Sequence, residues 1–485
     1  MTEQFDFDLV IIGSGPASYR AAMQASKLKK SVCMIEKNPG QLGGSWIHTG
    51  TIPSKTLRES MEAIHAIKFH AGSKWVERVI KDLSTSKLLG RSSKVAGYEE
   101  SLMRRYLDRY KIDLIEGLGT LEGRNAVRVI PNSGEPKVIT ASKILIATGS
   151  RPRRPENIPF DSWRVVDADE ILQLEHFPTS MIIYGGGVIG CEYACIFAQL
   201  GIDTTIVDGR DRIMQYMDEE AADNLKKYME EMGVHFRLGQ KMLNVIPTGP
   251  KVHIEFENGE VEETDLLFFA AGRVPNTQGI GLERLGIATT SRGHIEVNGN
   301  FQTSIPTIYA AGDAIGSPAL AATSASQGRH AALHMFGKFC RPFPKDFPLG
   351  VYTIPELSSV GLTEQELKQN KTDYVIGRAY YREVARGYIR GDEHGLLKIL
   401  ICPTTYKLLG IHIVGHDACN LIHIGLAFMQ KNGIAQDLID MVFNYPTLAE
   451  AYRIAAFNAL NKIFPTGEIE LPDEVEQAQG KVESA

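Results

Sequence analysis

The chain has 485 residues, 43% hydrophobic and 23% charged, a make-up that excludes a largely disordered protein. Its net charge of −6 argues against a nucleic-acid surface, and no apolar run reaches the ~18–20 residues that span a bilayer. The length predicts roughly three domain-sized units. The opening residues MTEQFDFDLVIIG are acidic where a secretory signal is basic and enter a strand directly, so a cytoplasmic location is expected. Residues 8–36 read as an apolar strand, a glycine turn, an amphipathic helix and a second strand ending at Glu36. In GSGPAS, Gly13 permits the tight turn, and Gly15 lets backbone N–H groups approach a pyrophosphate at a helix N-terminus. Ser18 takes the third small position, and Glu36 is placed to bind two ribose hydroxyls.

Residues 53–112 are mostly helical by periodicity, with Pro53 at a helix start. Strand-like segments run on to KILIATGSRPRRP, where RPRRP reads as a linker. Residues 181–208 then repeat the first unit, with Gly185, Gly187 and Gly190 in the turn and Asp208 at the end. Asp208 follows Gly185 by 23 positions, as Glu36 follows Gly13. Two such units predict an α/β fold with two Rossmann-type dinucleotide-binding βαβ domains. Asp208 favours NAD and repels a 2′-phosphate, whereas Arg210 and Arg212 offer charges that would pair with one. The alternative leaves both arginines solvated or paired with Asp211, so NAD and NADP both stay open.

Beyond residue 275 come a strand and turn, TIYAAGDAIG, and a helix through about residue 336. From about residue 347 longer alternating strands appear, HGLLKILIC and YKLLGIHIVG, followed by two helices ending near Phe464. The last twenty residues hold six acids and one lysine without apolar periodicity and read as a mobile tail. Six scattered cysteines form no disulfide scaffold. Cys191 and Cys195, four apart on a helix, read as core packing, His48 as a packed helix-start histidine, and no metal site is expected at His412, His416 and His423.

GSGPAS, GGSWIHTGTIPSK, ATGS, GGGVIGCE, AAGRVPNT, YAAGD, PELSSVGLTE and NYPTLAEAYR occur in one order. That series resembles the FAD-dependent pyridine nucleotide–disulfide oxidoreductases, the family of lipoamide dehydrogenase and glutathione reductase. The resemblance implies FAD in the first unit, held by Gly13, Gly15, Glu36, Ser45, Lys55, Gly149 and Asp313. It implies NAD or NADP in the second, held by Gly185, Gly187, Gly190, Asp208, Arg210 and Gly272. Lys55 and Glu192 resemble the family's ion pair beside flavin N5 and are the expected catalytic residues. The helix after Ser317-Pro318 would aim its positive N-terminus at the flavin pyrimidine edge. The implied layout is an FAD domain (1–150), an NAD(P) domain (151–275), a central FAD-binding region (276–346), an α+β dimerisation domain (347–464) and an acidic tail (465–485). A homodimer is expected, with NYPTLAE reaching into the partner's active site.

The departures carry as much information. Disulfide reductases have two cysteines in GG-x-C-x4-C-x-P-S-K, where this chain has Trp46 and Thr51. Tyr445 stands at the place of the acid–base histidine, although Glu450 remains. Without the cysteines there is no dithiol relay, and a phenol of pKa ~10 is a poor acid near neutrality. The soluble pyridine nucleotide transhydrogenases are similar in lacking the second cysteine and in sharing GTIPSK, NYPT and EAYR. That branch keeps the first cysteine and does not usually carry an acid at position 208. The resemblance implies hydride transfer between NADPH and NAD⁺ through the flavin; Tyr184 or Ile189 is a candidate gate for the nicotinamide site. Two other readings stay open: an NAD(P)H:quinone or dye reductase with its acceptor stacked on Trp46, and a non-catalytic FAD/NADH redox sensor.

Overall fold

The computed structural model describes residues 4–72, 80 and 84–465, so the acidic tail lies outside the described residues apart from its first position. β1 (Phe7–Ile12) ends in the glycine turn, and α1 (Pro16–Lys27) begins with proline, whose fixed φ suits a first helical turn. β2 (Val32–Glu36) is buried along its whole length beside β1. Two longer helices, α2 (Thr51–Ala71) and α3 (Thr85–Arg109), lead to β3 (Ile112–Gly123), β4 (Ala126–Pro131) and β5 (Lys137–Ile146). β1 pairs in parallel with both β2 and β5, and β2 with β3, while β4 joins β3 and β5 antiparallel.

The chain leaves through β6 (Ser150–Pro152) and places β7 (Val165–Val166) at the edge of a second sheet. The repeat follows as β8 (Ser180–Tyr184), α4 (Val188–Gln199) and β9 (Asp203–Asp208). After it come α5 (Glu219–Glu231) and β10 (Val234–Leu238). β11 (Met242–Thr248), β12 (Lys251–Phe256) and β13 (Val261–Thr264) form an antiparallel meander before β14 (Leu266–Phe269) returns to β8. β15 (Arg273–Pro275) then pairs antiparallel with β6. The first two residues of the stretch read as a linker, Arg151 and Pro152, are therefore part of a ribbon: the two chain crossings lie side by side and satisfy each other's backbone groups.

β16 (Ile308–Ala310) rejoins the first sheet against β5, and α6 (Ala321–Met335) packs on α1. A Cβ on Gly328 of α6 would stand 2.0 Å from the Ala17 carbonyl, so the two helices meet backbone to backbone. The third domain is an antiparallel sheet of β17 (Leu349–Val351), β18 (Glu356–Gly361), β19 (Val375–Tyr380), β20 (Leu396–Ile401) and β21 (Leu408–Gly415). Its order is β17-β18-β21-β20-β19. Three helices follow rather than two: α7 (Ala418–Gln430), a six-residue helix at Ala435–Asp440, and α8 (Ala451–Ile463). Six residues span under two turns, too short for periodicity to reveal.

β20, LLKILI, is buried throughout, and its Lys398 has no exposed surface. The ammonium lies 3.0 Å from both oxygens of Asp218, 2.6 Å from Glu364 and 3.1 Å from Glu220. Asp218 is the N-cap of α5, so this cluster pins the second dinucleotide unit to the third domain. Cys191 and Cys195 are fully buried in the core. His412 is buried between Ser359 and the Leu362 carbonyl, and no metal-binding cluster occurs among the described residues.

Candidate active site

The two glycine turns are built alike. Gly13 has φ +106°, and a Cβ there would stand 2.3 Å from the Ala147 carbonyl; Gly185 has φ +124° and would meet the Ala270 carbonyl at 2.8 Å. Both positions therefore require glycine. Gly190 lies against Gly185, where a Cβ would be 1.9 Å from the carbonyl, while the buried Ser18 fills the matching place in the first unit. The N-cap glycines of α1 and α4, Gly15 and Gly187, instead face open space: a Cβ on Gly15 meets only the Gly43 carbonyl at 3.9 Å, and one on Gly187 meets nothing. Each helix N-terminus thus has room for a phosphate.

The two acids differ. Glu36 is buried, accepting from Ser14 Oγ at 2.5 Å and from the Asn38 N–H at 2.9 Å. Ser14 Oγ in turn accepts from the Gly43 N–H at 2.9 Å, which ties the turn to the GGSW segment. Asp208 accepts from the Gly186 N–H at 2.6 Å and from Arg210 three times: N–H at 2.9 Å, Nε at 2.8 Å and Nη2 at 2.6 Å. Burial alone would raise the Asp208 carboxyl, but these Arg210 and Gly186 bonds outweigh it and hold it below the usual carboxylate range. Arg212 is one-third exposed and is not paired with Asp211. It binds Asp223 on α5 at 2.5 Å, with Glu219 4.0 Å away.

Lys55 and Glu192, 137 positions apart, meet at 2.8 Å through both carboxylate oxygens. α2 of the first unit supplies the lysine and α4 of the second the acid; Glu192 is 4% exposed. The third domain joins them, because Tyr352 donates its N–H to Glu192 at 2.9 Å and sets its ring 4.9 Å from the Lys55 ammonium. Sequence reasoning missed Tyr352, which lies outside every matched motif. Asp313 accepts from Ser150 Oγ at 2.6 Å, which accepts from Arg273 Nε at 2.9 Å, linking the ribbon to the first domain. Gly149 and Gly272 precede that pair of strands with φ +69° and +99°. Ser45 opens a one-turn helix directly after Gly44.

Trp46, next in that turn, folds back on Gly43: a Cβ there would stand 3.0 Å from its indole nitrogen. Thr51 opens α2. His48 is packed, with Nε2 3.0 Å from the Leu42 carbonyl. Tyr184 stacks at a tilt on Phe269 with ring centres 5.5 Å apart, and Ile189 packs against the core. Tyr445 is exposed on the single chain.

The first unit fits FAD. Gly15 and Gly44 approach each other through backbone alone at the α1 N-terminus, a Cβ on either meeting no side chain within 4 Å. The buried hydroxyls of Ser18 on α1 and Thr148 beside Gly13 have no hydrogen-bond partner among the described residues. Both hydroxyls are thus open to a bound group at this turn.

Two dinucleotide folds bridged by an ion pair, with a third α+β domain at the bridge, define a two-nucleotide flavoprotein. The chain matches the pyridine nucleotide-disulphide oxidoreductase family over residues 7–328 and that family's dimerisation domain over residues 347–456. It belongs to this family, whose members bind FAD and NAD(P). It is 41% identical over 459 residues to a protein of Mycobacterium tuberculosis named soluble pyridine nucleotide transhydrogenase, covering 94% of this chain and 98% of the relative. A protein of the same name from Vibrio atlanticus is 40% identical over 469 residues, covering 96% and 100%. Among solved structures, LpdA of Mycobacterium tuberculosis superposes with a TM-score of 0.85 at 26% identity, covering 92% of this chain and 98% of that one. The HOCl-induced flavoprotein disulfide reductase RclA of Escherichia coli gives 0.83 at 26% identity, covering 93% and 99%.

Proposed function

We propose that this protein is an FAD-dependent transhydrogenase that moves hydride between NADPH and NAD⁺ without a redox disulfide. One observation carries the reading: both dinucleotide folds and the Lys55–Glu192 bridge are intact, while Trp46 and Thr51 occupy the disulfide positions. FAD, when bound, supplies the ring that accepts hydride from one nicotinamide and returns it to the next. The α1 N-terminus would hold the FAD pyrophosphate, Glu36 its ribose hydroxyls, and Asp313 its ribityl chain. The α4 N-terminus holds the incoming nucleotide's pyrophosphate, and Asp208 and Arg210 read its ribose. Glu192, buried and fixed by the Tyr352 N–H, keeps the Lys55 ammonium at the junction of the two units, where its charge orients and stabilises the reacting pair. Hydride enters and leaves by the same type of step, so the chemistry needs neither a thiol relay nor the missing histidine.

The protein works as a homodimer through its third domain, where Val442 and Tyr445 stand 88% and 69% exposed on the single chain. No helix among the described residues is long and apolar enough to cross a membrane, and a cytoplasmic site of action is part of the proposal. The test is an anaerobic assay of the FAD-loaded protein with NADPH and thio-NAD⁺, with lipoamide as the alternative acceptor. Turnover of ~1–10³ s⁻¹ to thio-NAD⁺ and none to lipoamide is expected. Oxidation of NADPH without transfer to thio-NAD⁺, or robust lipoamide reduction, overturns the reading.

A further inference from the structure

The turn that ends β9 is clasped by the turn between β10 and β11. The Gly239 N–H donates to the Arg210 carbonyl at 2.8 Å, and the Gln240 N–H to the Asp208 carbonyl at 3.1 Å. That clasp carries the next residue, Lys241, across Gly209: a Cβ on Gly209 would stand 2.9 Å from Lys241 Cγ and 3.6 Å from Cδ and Cε. The missing side chain of Gly209 is what lets the lysine stem lie over the turn between Asp208 and Arg210. Its ammonium is held only loosely, 3.8 Å from Glu257, with both side chains more than half exposed. An exposed contact of that length is easily exchanged.

The charges around this turn leave one cation short. Asp208 and Arg210 neutralise each other through a two-pronged contact, and Nη1 of Arg210 takes no part in that fork. A phosphate monoester carries nearly two negative charges at neutral pH and needs more than one such group. Arg212, the neighbour in sequence, is drawn away to Asp223. Lys241 is the cation that the fold, rather than the sequence order, brings to the turn.

We propose that Lys241 is a specificity-determining residue of the second nucleotide site: with Arg210 it receives the 2′-phosphate of the phosphorylated nucleotide, while Asp208 receives the ribose hydroxyls of the other. This rests on the transhydrogenase reading in requiring one site to serve both nucleotides. Arg210 keeps the carboxylate from repelling the phosphate, and Lys241 completes the phosphate's charge balance from the far side of Gly209.

The experiment measures calorimetric binding of 2′,5′-ADP and of 5′-AMP to the FAD-loaded protein and to its Lys241→Gln and Arg212→Gln variants. Lys241→Gln is expected to weaken 2′,5′-ADP roughly fivefold, with a shallower salt dependence, and to leave 5′-AMP unchanged. Arg212→Gln is expected to bind both fragments as the parent does. The proposal is overturned if Lys241→Gln binds both fragments normally or weakens both equally. Equal loss in Arg212→Gln also overturns it, because that result reports a general positive field rather than a contact. A parent without preference for 2′,5′-ADP overturns it too. These fragments carry no hydride, so failure of transhydrogenation leaves the binding result standing, and the two failures are distinguishable.

Discussion

The two βαβ units share topology, spacing and turn geometry, yet their acidic residues live in different surroundings. Glu36 is buried and accepts from the Ser14 hydroxyl and a backbone N–H, with its turn tied down by the Gly43 N–H. Asp208 is also buried, but it is covered by a 42% exposed guanidinium, and the Lys241 stem lies against the next residue, Gly209. The first arrangement suits one ligand that stays. The second suits ligands that come and go and differ by a phosphate. The shared strand–turn–helix–strand frame thus carries different partners for its terminal acid, set by the residues just beyond the second strand.

The largest expected effect concerns how the second unit is anchored. Lys398→Met leaves the buried Asp218 carboxylate without its ammonium, while Glu220 keeps Arg378 and Glu364 keeps Lys368, and breaking a buried pair in this way costs about 3–5 kcal/mol. Thermal unfolding monitored by flavin release should show a clearly lower midpoint; an unchanged midpoint would mean that the cluster does not anchor the unit. Burial would raise the Glu364 carboxyl, but hydrogen bonds from Lys368 and Lys398 hold it at about 2, and Asp218 and Glu220 are likewise lowered. Groups with depressed folded pKa values contribute their full stability above their ordinary range and lose it as pH falls through the folded values, here between about 4 and 2. The variant, having lost part of that contribution, should unfold at higher pH on acid titration.

Next in size is a pair of alanine substitutions that separates the two units. Gly13→Ala puts a Cβ into the Ala147 carbonyl and should cost ~2–4 kcal/mol, yielding protein purified with little FAD. Gly185→Ala strains the second turn against the Ala270 carbonyl and should leave the flavin bound while weakening nucleotide binding. Loss of flavin from both variants alike would erase the distinction between a resident site and an exchange site. A smaller effect is expected at the bridge. Lys55→Met removes the partly exposed ammonium that Glu192 positions, and stopped-flow flavin reduction by NADPH should slow roughly 10–100-fold with FAD content unchanged.

Much of this was legible in the sequence because it is local. The glycine turns, both terminal acids and the switch from parallel units to the β18–β21 sheet follow from short-range spacing and periodicity. Lys55 and Glu192 were legible only through the motifs that contain them, since nothing in their spacing announces a contact. The β6–β15 ribbon was not legible: strands of three residues have no period, and their pairing depends on where two distant crossings meet. Lys398 sits in a run of aliphatic residues whose partners lie on other domains. The same reason explains Arg212 and Lys241. Proximity in sequence favoured the arginine, whereas backbone bonds between two turns bring the lysine to Gly209.

The measurement that tests the central claim most directly is a two-substrate kinetic analysis, varying NADPH at several fixed concentrations of thio-NAD⁺ under anaerobic conditions. One exchange site beside a resident flavin requires the first product to leave before the second nucleotide binds, so parallel double-reciprocal lines are predicted, with each nucleotide inhibiting competitively when in excess. Lines that intersect to the left of the axis would require both nucleotides to be bound together, and would contradict the division of duties between the two units.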